Sequence, residues 1–109
     1  MNIFLKKPKC GVYAEGIYDE NDRSVLVLKG AKLSSDIREY KNGATHWVSK
    51  MRIDNVENNI LIKDLRFKTP STASNFITGR STNGLIAWKN EEGKTIKEIF
   101  FDELDDVEC

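Results

Sequence analysis

Residues 11–18, GVYAEGIY, alternate loosely between apolar and polar and hold Val, Tyr and Ile, which suit a strand. DENDR, 19–23, is a polar turn, and SVLVLK, 24–29, is a second strand with its apolar residues packed close together. The two read as a β-hairpin, and Asn2 to Lys6 adds an edge strand beside them. Gly30 ends the second strand, and residues 31–44 carry weaker signals that read partly as loop. From Thr45 to Val56, the positions of Trp47, Val48, Met51 and Val56 approach helical spacing, with Lys50, Arg52 and Asp54 between them. A short helix is expected there, stopped by Asn58-Asn59. ILIKDLRF, 60–67, returns to a strand pattern broken at Lys63-Asp64.

The clearest boundary follows. Thr69 is a good N-cap, and Pro70 fits the first helical position, where its missing N–H costs nothing. Ala73, Phe76 and Ile77 then form one apolar face, and Gly79 sits where a helix closes in a left-handed cap, so a helix is expected over 70–78. Asn83-Gly84 is a tight-turn dipeptide, Leu85 to Trp88 reads as a strand, NEEGK (90–94) as a turn and TIKEIFF (95–101) as a last strand. The fold class is α+β: a small antiparallel sheet with a hairpin at the N-terminal side and one or two short helices packed on it. With 109 residues the chain has room for one domain, taken as 1–100, followed by an acidic tail at 101–109.

Composition narrows the class. Apolar residues make up 39% and charged residues 31%, a globular balance rather than a disordered one. No apolar run reaches the ~18 residues of a membrane span, and the N-terminus lacks the order of a signal peptide, so no membrane partner is expected and the cytoplasm is the default location. Formal net charge is zero, but unevenly placed. Asp102, Glu103, Asp105, Asp106 and Glu108 fall in the tail, leaving residues 1–100 with 17 basic against 12 acidic side chains. A basic body with an acidic tail points to an anion-binding surface and a tail that screens it; a solvated, solubilising terminus explains the tail equally well.

Catalytic and metal chemistry find little support. Cys10 and Cys109 are the only cysteines and His46 the only histidine, so neither zinc spacing nor a disulfide framework is present. The glycines form no phosphate-binding loop signature. His46 stands alone beside Trp47, and the acids of 19–22 and 102–106 lie in a turn and a tail. No enzyme activity, cofactor, metal or small-molecule substrate is expected.

The stretch TPSTASNFITGRSTNGLIAWKN, 69–90, carries the candidate chemistry. A helix as short as 70–78 holds only by packing onto a sheet. Its first-turn N–H groups, with the hydroxyls of Ser71 and Thr72, make an anion site, and Lys68 and Arg80 flank it at the two ends. In this reading Lys63, Arg66, Lys68, Arg80 and Lys89 neutralise phosphates, Ser71, Thr72, Ser81 and Asn83 supply hydrogen bonds, and Trp88 supports the site or stacks on a base. Each feature also has a structural explanation. Thr-Pro-Ser is an ordinary cap, small residues allow tight packing, and Trp88 serves equally as a core aromatic.

Phe67, Thr69, Pro70, Ser71 and Ala73, then Gly79, Arg80, Ser81, Asn83 and Gly84, then Trp88, Lys89 and Gly93 form a combination that resembles a domain of unknown function. That domain occurs C-terminal to GIY-YIG nuclease domains and in restriction-associated proteins. The hairpin GVYAEGIYDENDRSVLVLKGAKLS, 11–34, looks like the domain's opening, and the likeness covers residues 4–98. The domain is in turn similar to the restriction-enzyme-adenine-methylase-associated (RAMA) domain, thought to read DNA, including modified DNA. Thr69 stands where Ser is usual, Ser74 where a second Ala is common, and Leu85 where an aromatic often follows Asn-Gly. The resemblance implies a non-catalytic accessory module that binds DNA in a restriction, defence or mobile-element setting, with a nuclease or restriction subunit as protein partner. The alternative is a protein-interaction or autoregulatory module with no direct nucleic-acid contact, using the hairpin 11–29 or the tail. With Met1 at its start and no nuclease domain before it, the module reads as free-standing or excised.

Overall fold

The computed structural model describes residues 1–35, 46–80 and 82–101. Expectations for 36–45, Ser81 and the tail beyond Phe101 lie outside the described residues, as do the side chains of Cys10 and His46. Strand β2 (Val12–Asp19) turns Val12, Ala14, Gly16 and Tyr18 inward and leaves Tyr13, Glu15 and Ile17 outside. That alternation is the strand period of two with one face on a core. It pairs antiparallel with β1 (Asn2–Lys7), placing Phe4 opposite Glu15 and Lys6 opposite Tyr13. On its other side lies β3 (Ser24–Val27), reached through the expected hairpin, whose loop is held by Asp19 accepting from the Asn21 N–H and Asp22 from the Ser24 N–H. A fourth strand, β6 (Leu65–Phe67), pairs with β3, giving the sheet order β1-β2-β3-β6.

Helix α1 (His46–Asn55) runs into a two-stranded ribbon, β4 (Val56–Glu57) and β5 (Ile60–Leu61). Asn58 and Asn59 sit at φ 52° and 64°, so they turn the ribbon as a two-residue hairpin loop rather than merely stopping a helix. Helix α2 (Pro70–Thr78) matches the expected span. Thr69 Oγ1 accepts from the Thr72 N–H at 3.1 Å, and Gly79 closes the helix at φ 71° with its N–H on the Asn75 carbonyl. Its buried face, Ala73, Phe76 and Ile77, lies on the inner sheet face with Ile3, Leu5, Val25, Val27 and Phe67. The Phe67 and Phe76 rings are 5.2 Å apart. Each such apolar side chain stabilises by ~1.5–3 kcal/mol on burial.

Two expectations are corrected. Leu85 to Trp88 is not a strand: α3 (Gly84–Ala87) is one helical turn, capped by Asn83 Oδ1 accepting from the Leu85 N–H at 3.1 Å. The Asn-Gly pair is thus a cap, and its glycine meets a close approach: a Cβ on Gly84 would collide with the backbone of Pro70 and Ser71. TIKEIFF is not a strand either. Thr95 and Glu98 form a reciprocal capping box that opens α4 (Ile96–Phe100). Extended pairing survives only at Lys89, which bridges Phe4 on one side and Thr95 on the other. Trp88, fully buried, packs over β2 where Gly16 has no side chain to exclude it. Among the described residues no helix is long and apolar enough to cross a membrane.

Candidate nucleic-acid interface

The end of β1 concentrates positive charge. Lys6 and Lys7 close the strand, Pro8 opens a 3-10 turn (Pro8–Cys10) carrying Lys9, and Gly11 ends that turn at φ 70°, its N–H on the Pro8 carbonyl. Strand pairing brings Lys89 alongside: the Phe4 N–H donates to the Lys89 carbonyl at 2.7 Å and the Lys89 N–H to the Phe4 carbonyl at 2.9 Å. Residues directly opposite in an antiparallel pair project on the same face. Lys89 therefore lies on the outer face with Phe4, while its neighbour Trp88 points into the core.

Two grooves adjoin at Lys7. The first, about 600 Å³, is lined by Phe4, Lys6, Lys7, Ile86, Lys89 and Asn90, with Glu91 and Gly93 closing it. The second, about 340 Å³, holds Lys7, Lys9 and Arg80 beside Ser35, Thr78 and Thr82. Among the described residues, ion pairs form between Arg66 and Asp22 and between Lys94 and Glu92; Lys6, Lys7, Lys9, Arg80 and Lys89 enter none. Five exposed cations in one rim, with no ion-paired carboxylate among the described residues, make a positive field suited to a polyanion.

The backbone that carries Arg80 is well anchored. Thr78 Oγ1 donates to the Ser74 carbonyl at 2.8 Å and accepts from the Arg80 N–H at 3.3 Å. Asn75 Oδ1 accepts from the Thr82 N–H at 2.7 Å, and Ser74 Oγ meets Thr82 Oγ1. Beneath, Arg52 is buried and donates to the Ser34 carbonyl at 2.7 Å, the Phe76 carbonyl at 2.7 Å and the Ile77 carbonyl at 3.1 Å. Burial pushes its guanidinium down to about 10. Arg52 thus ties the Ser34 loop and the C-terminal carbonyls of α2 together below the second groove.

The sequence-expected residues divide. Arg80 and Lys89 fall on the two adjoining grooves. Lys63, Arg66 and Lys68 stay exposed at or beside β6, three strand spacings or about 14 Å across the sheet from β1. Arg66 there faces Asp22 at 3.7 Å, and hydrogen bonds from Ser24 hold the Asp22 carboxyl below its ordinary range. The expected anion site at the start of α2 is filled by the protein itself. Thr69 and Thr72 bond each other, Ser71 Oγ accepts from the Gly84 N–H at 3.0 Å, and α3 sits against the Pro70–Ser71 backbone. Trp88 is fully buried, so its ring faces are closed to a base, and its Nε1 donates to the Pro70 carbonyl at 3.1 Å from inside the core. Asn83 caps α3, and Ser81 lies outside the described residues. Sequence reasoning missed Lys6, Lys7 and Lys9, although the KKPK run was the available signal.

A profile of the family described as Domain of unknown function (DUF4357) matches residues 3–100, most of the chain. The chain belongs to the DUF4357 family. The match takes in both grooves of this DUF4357 domain, from Phe4 through Gly93. No curated protein and no solved structure gives a significant match.

Proposed function

We propose that this DUF4357 domain is a non-catalytic accessory module that binds DNA through the rim of Lys6, Lys7, Lys9, Arg80 and Lys89. The observation that carries the reading is the convergence of these five cations, in no ion pair among the described residues, from segments far apart in sequence, on two adjoining grooves. The exposed hydroxyl of Ser35 lines the same groove as Arg80 and suits a phosphate oxygen. The motif resemblance to GIY-YIG-associated and RAMA-like domains supports a restriction, defence or mobile-element setting in the bacterial cytoplasm, with a nuclease or restriction subunit as protein partner and modified DNA among the targets.

The test is equilibrium binding to plain and adenine-methylated DNA over a salt series. Arg80→Ala with Lys89→Ala is expected to weaken binding and to flatten the dependence of log K on log salt by ~0.7–0.9 for each phosphate no longer neutralised. Equal affinity of wild type and double variant at every salt concentration rejects the reading. A preference for the methylated DNA would assign recognition of that base. A protein-interaction module is the second reading, favoured by one observation: Ile53 is 78% exposed on α1, with Ile60 and Ile62 also exposed just beyond it. Failure to bind any DNA, with a partner held through Ile53, would establish that reading instead.

A further inference from the structure

On the outer face of β1 and β2 the aromatic residues lie next to the basic rim. Phe4 is half-buried and Tyr13 39% exposed on the adjacent strand. Because Lys6 pairs with Tyr13 and Phe4 with Glu15, the two rings are diagonal neighbours on one face. The Lys6 ammonium lies 5.5 Å from the Phe4 ring centroid and 5.7 Å from that of Tyr13. Lys89 shares the face across its bridge to Phe4, and the exposed Ile86 borders the same groove. The Glu15 carboxylate accepts from the Tyr13 hydroxyl at 2.9 Å, which orients the ring on the sheet.

Resting on the DNA-binding reading above, we infer that this face takes single-stranded DNA, with bases stacked on Tyr13 and Phe4 and phosphates on Lys6 and Lys89. A duplex keeps its base faces inside its own stack and offers the rim only phosphates. An unpaired strand offers both phosphates and aromatic faces, which is what the exposed Tyr13 ring and the partly exposed Phe4 ring beside Lys6 and Lys89 complement. The side-by-side strands of the sheet suit consecutive bases laid across them. Leu85, exposed to neither groove, plays no part; the aromatic contact comes from β1 and β2 instead.

Fluorescence anisotropy with a labelled short oligothymidine, its duplex with oligodeoxyadenosine, and an oligouridine of equal length tests the inference at one moderate salt concentration. Wild type should hold the single DNA strand tighter than the duplex. Tyr13→Ala should weaken the single strand roughly tenfold or more and leave the duplex unchanged. Tyr13→Phe, which keeps the ring and loses only the bond to Glu15, should stay within about twofold of wild type. A duplex bound as tightly as the single strand, or Tyr13→Ala without effect on the single strand, overturns the stacking face and leaves the phosphate rim standing. Tighter binding of oligouridine overturns the assignment to DNA. No binding of any of the three by wild type removes the DNA-binding reading and this inference with it.

Discussion

Replacing Arg52 by Met removes a buried cation that has no carboxylate counterpart among the described residues and instead serves backbone carbonyls. Met keeps an apolar stem of similar reach, so what disappears is hydrogen bonding rather than volume. The Ile77 carbonyl retains the Ser34 N–H at 3.0 Å, whereas the Phe76 carbonyl has Arg52 at 3.2 Å and 2.7 Å through two nitrogens. A buried carbonyl stripped of its donor costs ~1–3 kcal/mol, and bonds from a charged donor are at the upper end. Relief of guanidinium desolvation, whose size shows in a pKa held at about 10, offsets part of this. The net expectation is a destabilisation of ~2–4 kcal/mol. At about 4 °C per kcal/mol for a chain of this length, Tm should fall by roughly 8–16 °C. Urea unfolding should show a lower midpoint with an unchanged m-value. Arg52→Lys should recover only part of the stability, since a point charge cannot reach three carbonyls at once. A Met variant melting within about 2 °C of wild type would refute the role given to these bonds.

Gly84→Ala should destabilise by ~1–3 kcal/mol in urea melts, because the added methyl meets the Pro70 and Ser71 backbone rather than a movable side chain. Thr95→Ala and Glu98→Ala should each cost ~1 kcal/mol, and the double variant less than their sum, since both dismantle the same capping box. The Tyr13 phenol should titrate above 10.0 by NMR, chiefly through its bond to Glu15, and Glu15→Gln should bring it back. With the folded pKa raised, the small stability this bond contributes is present below pH 10 and is lost as pH rises through the folded value.

Local signals are legible where the chemistry is local. Thr69-Pro70 and Gly79 bracket α2 because cap and stop act within a few residues, and the polar turn 19–23 marks the hairpin for the same reason. The 83–101 region misleads because its patterns are ambiguous at short range. Asn83-Gly84 serves as turn or as cap, and what decides is the packing of Gly84 on Pro70 and Ser71, invisible in a linear scan. Thr95-x-x-Glu98 is a legible capping box, but the apolar run Ile96, Ile99, Phe100 and Phe101 fits a strand as readily over so few residues. Arg52 sits among the charged residues expected on a helix surface, yet it is buried, since its partners come from two other segments. The candidate interface is half visible for a similar reason. Arg80 and Lys89 stand out beside the motif, while Lys6 and Lys7 join them only through the Phe4–Lys89 pairing.

Amide and lysine side-chain NMR of the domain titrated with DNA tests the rim most directly, because it locates the bound strand without altering any residue. If DNA lies on the end of β1, shifts should concentrate at Lys6, Lys7, Lys9, Arg80 and Lys89 and fade as salt rises, with Lys63 and Lys68 largely unmoved. Shifts centred on Ile53 and the β4–β5 ribbon, or spread evenly over every exposed lysine, would contradict a DNA site at this rim.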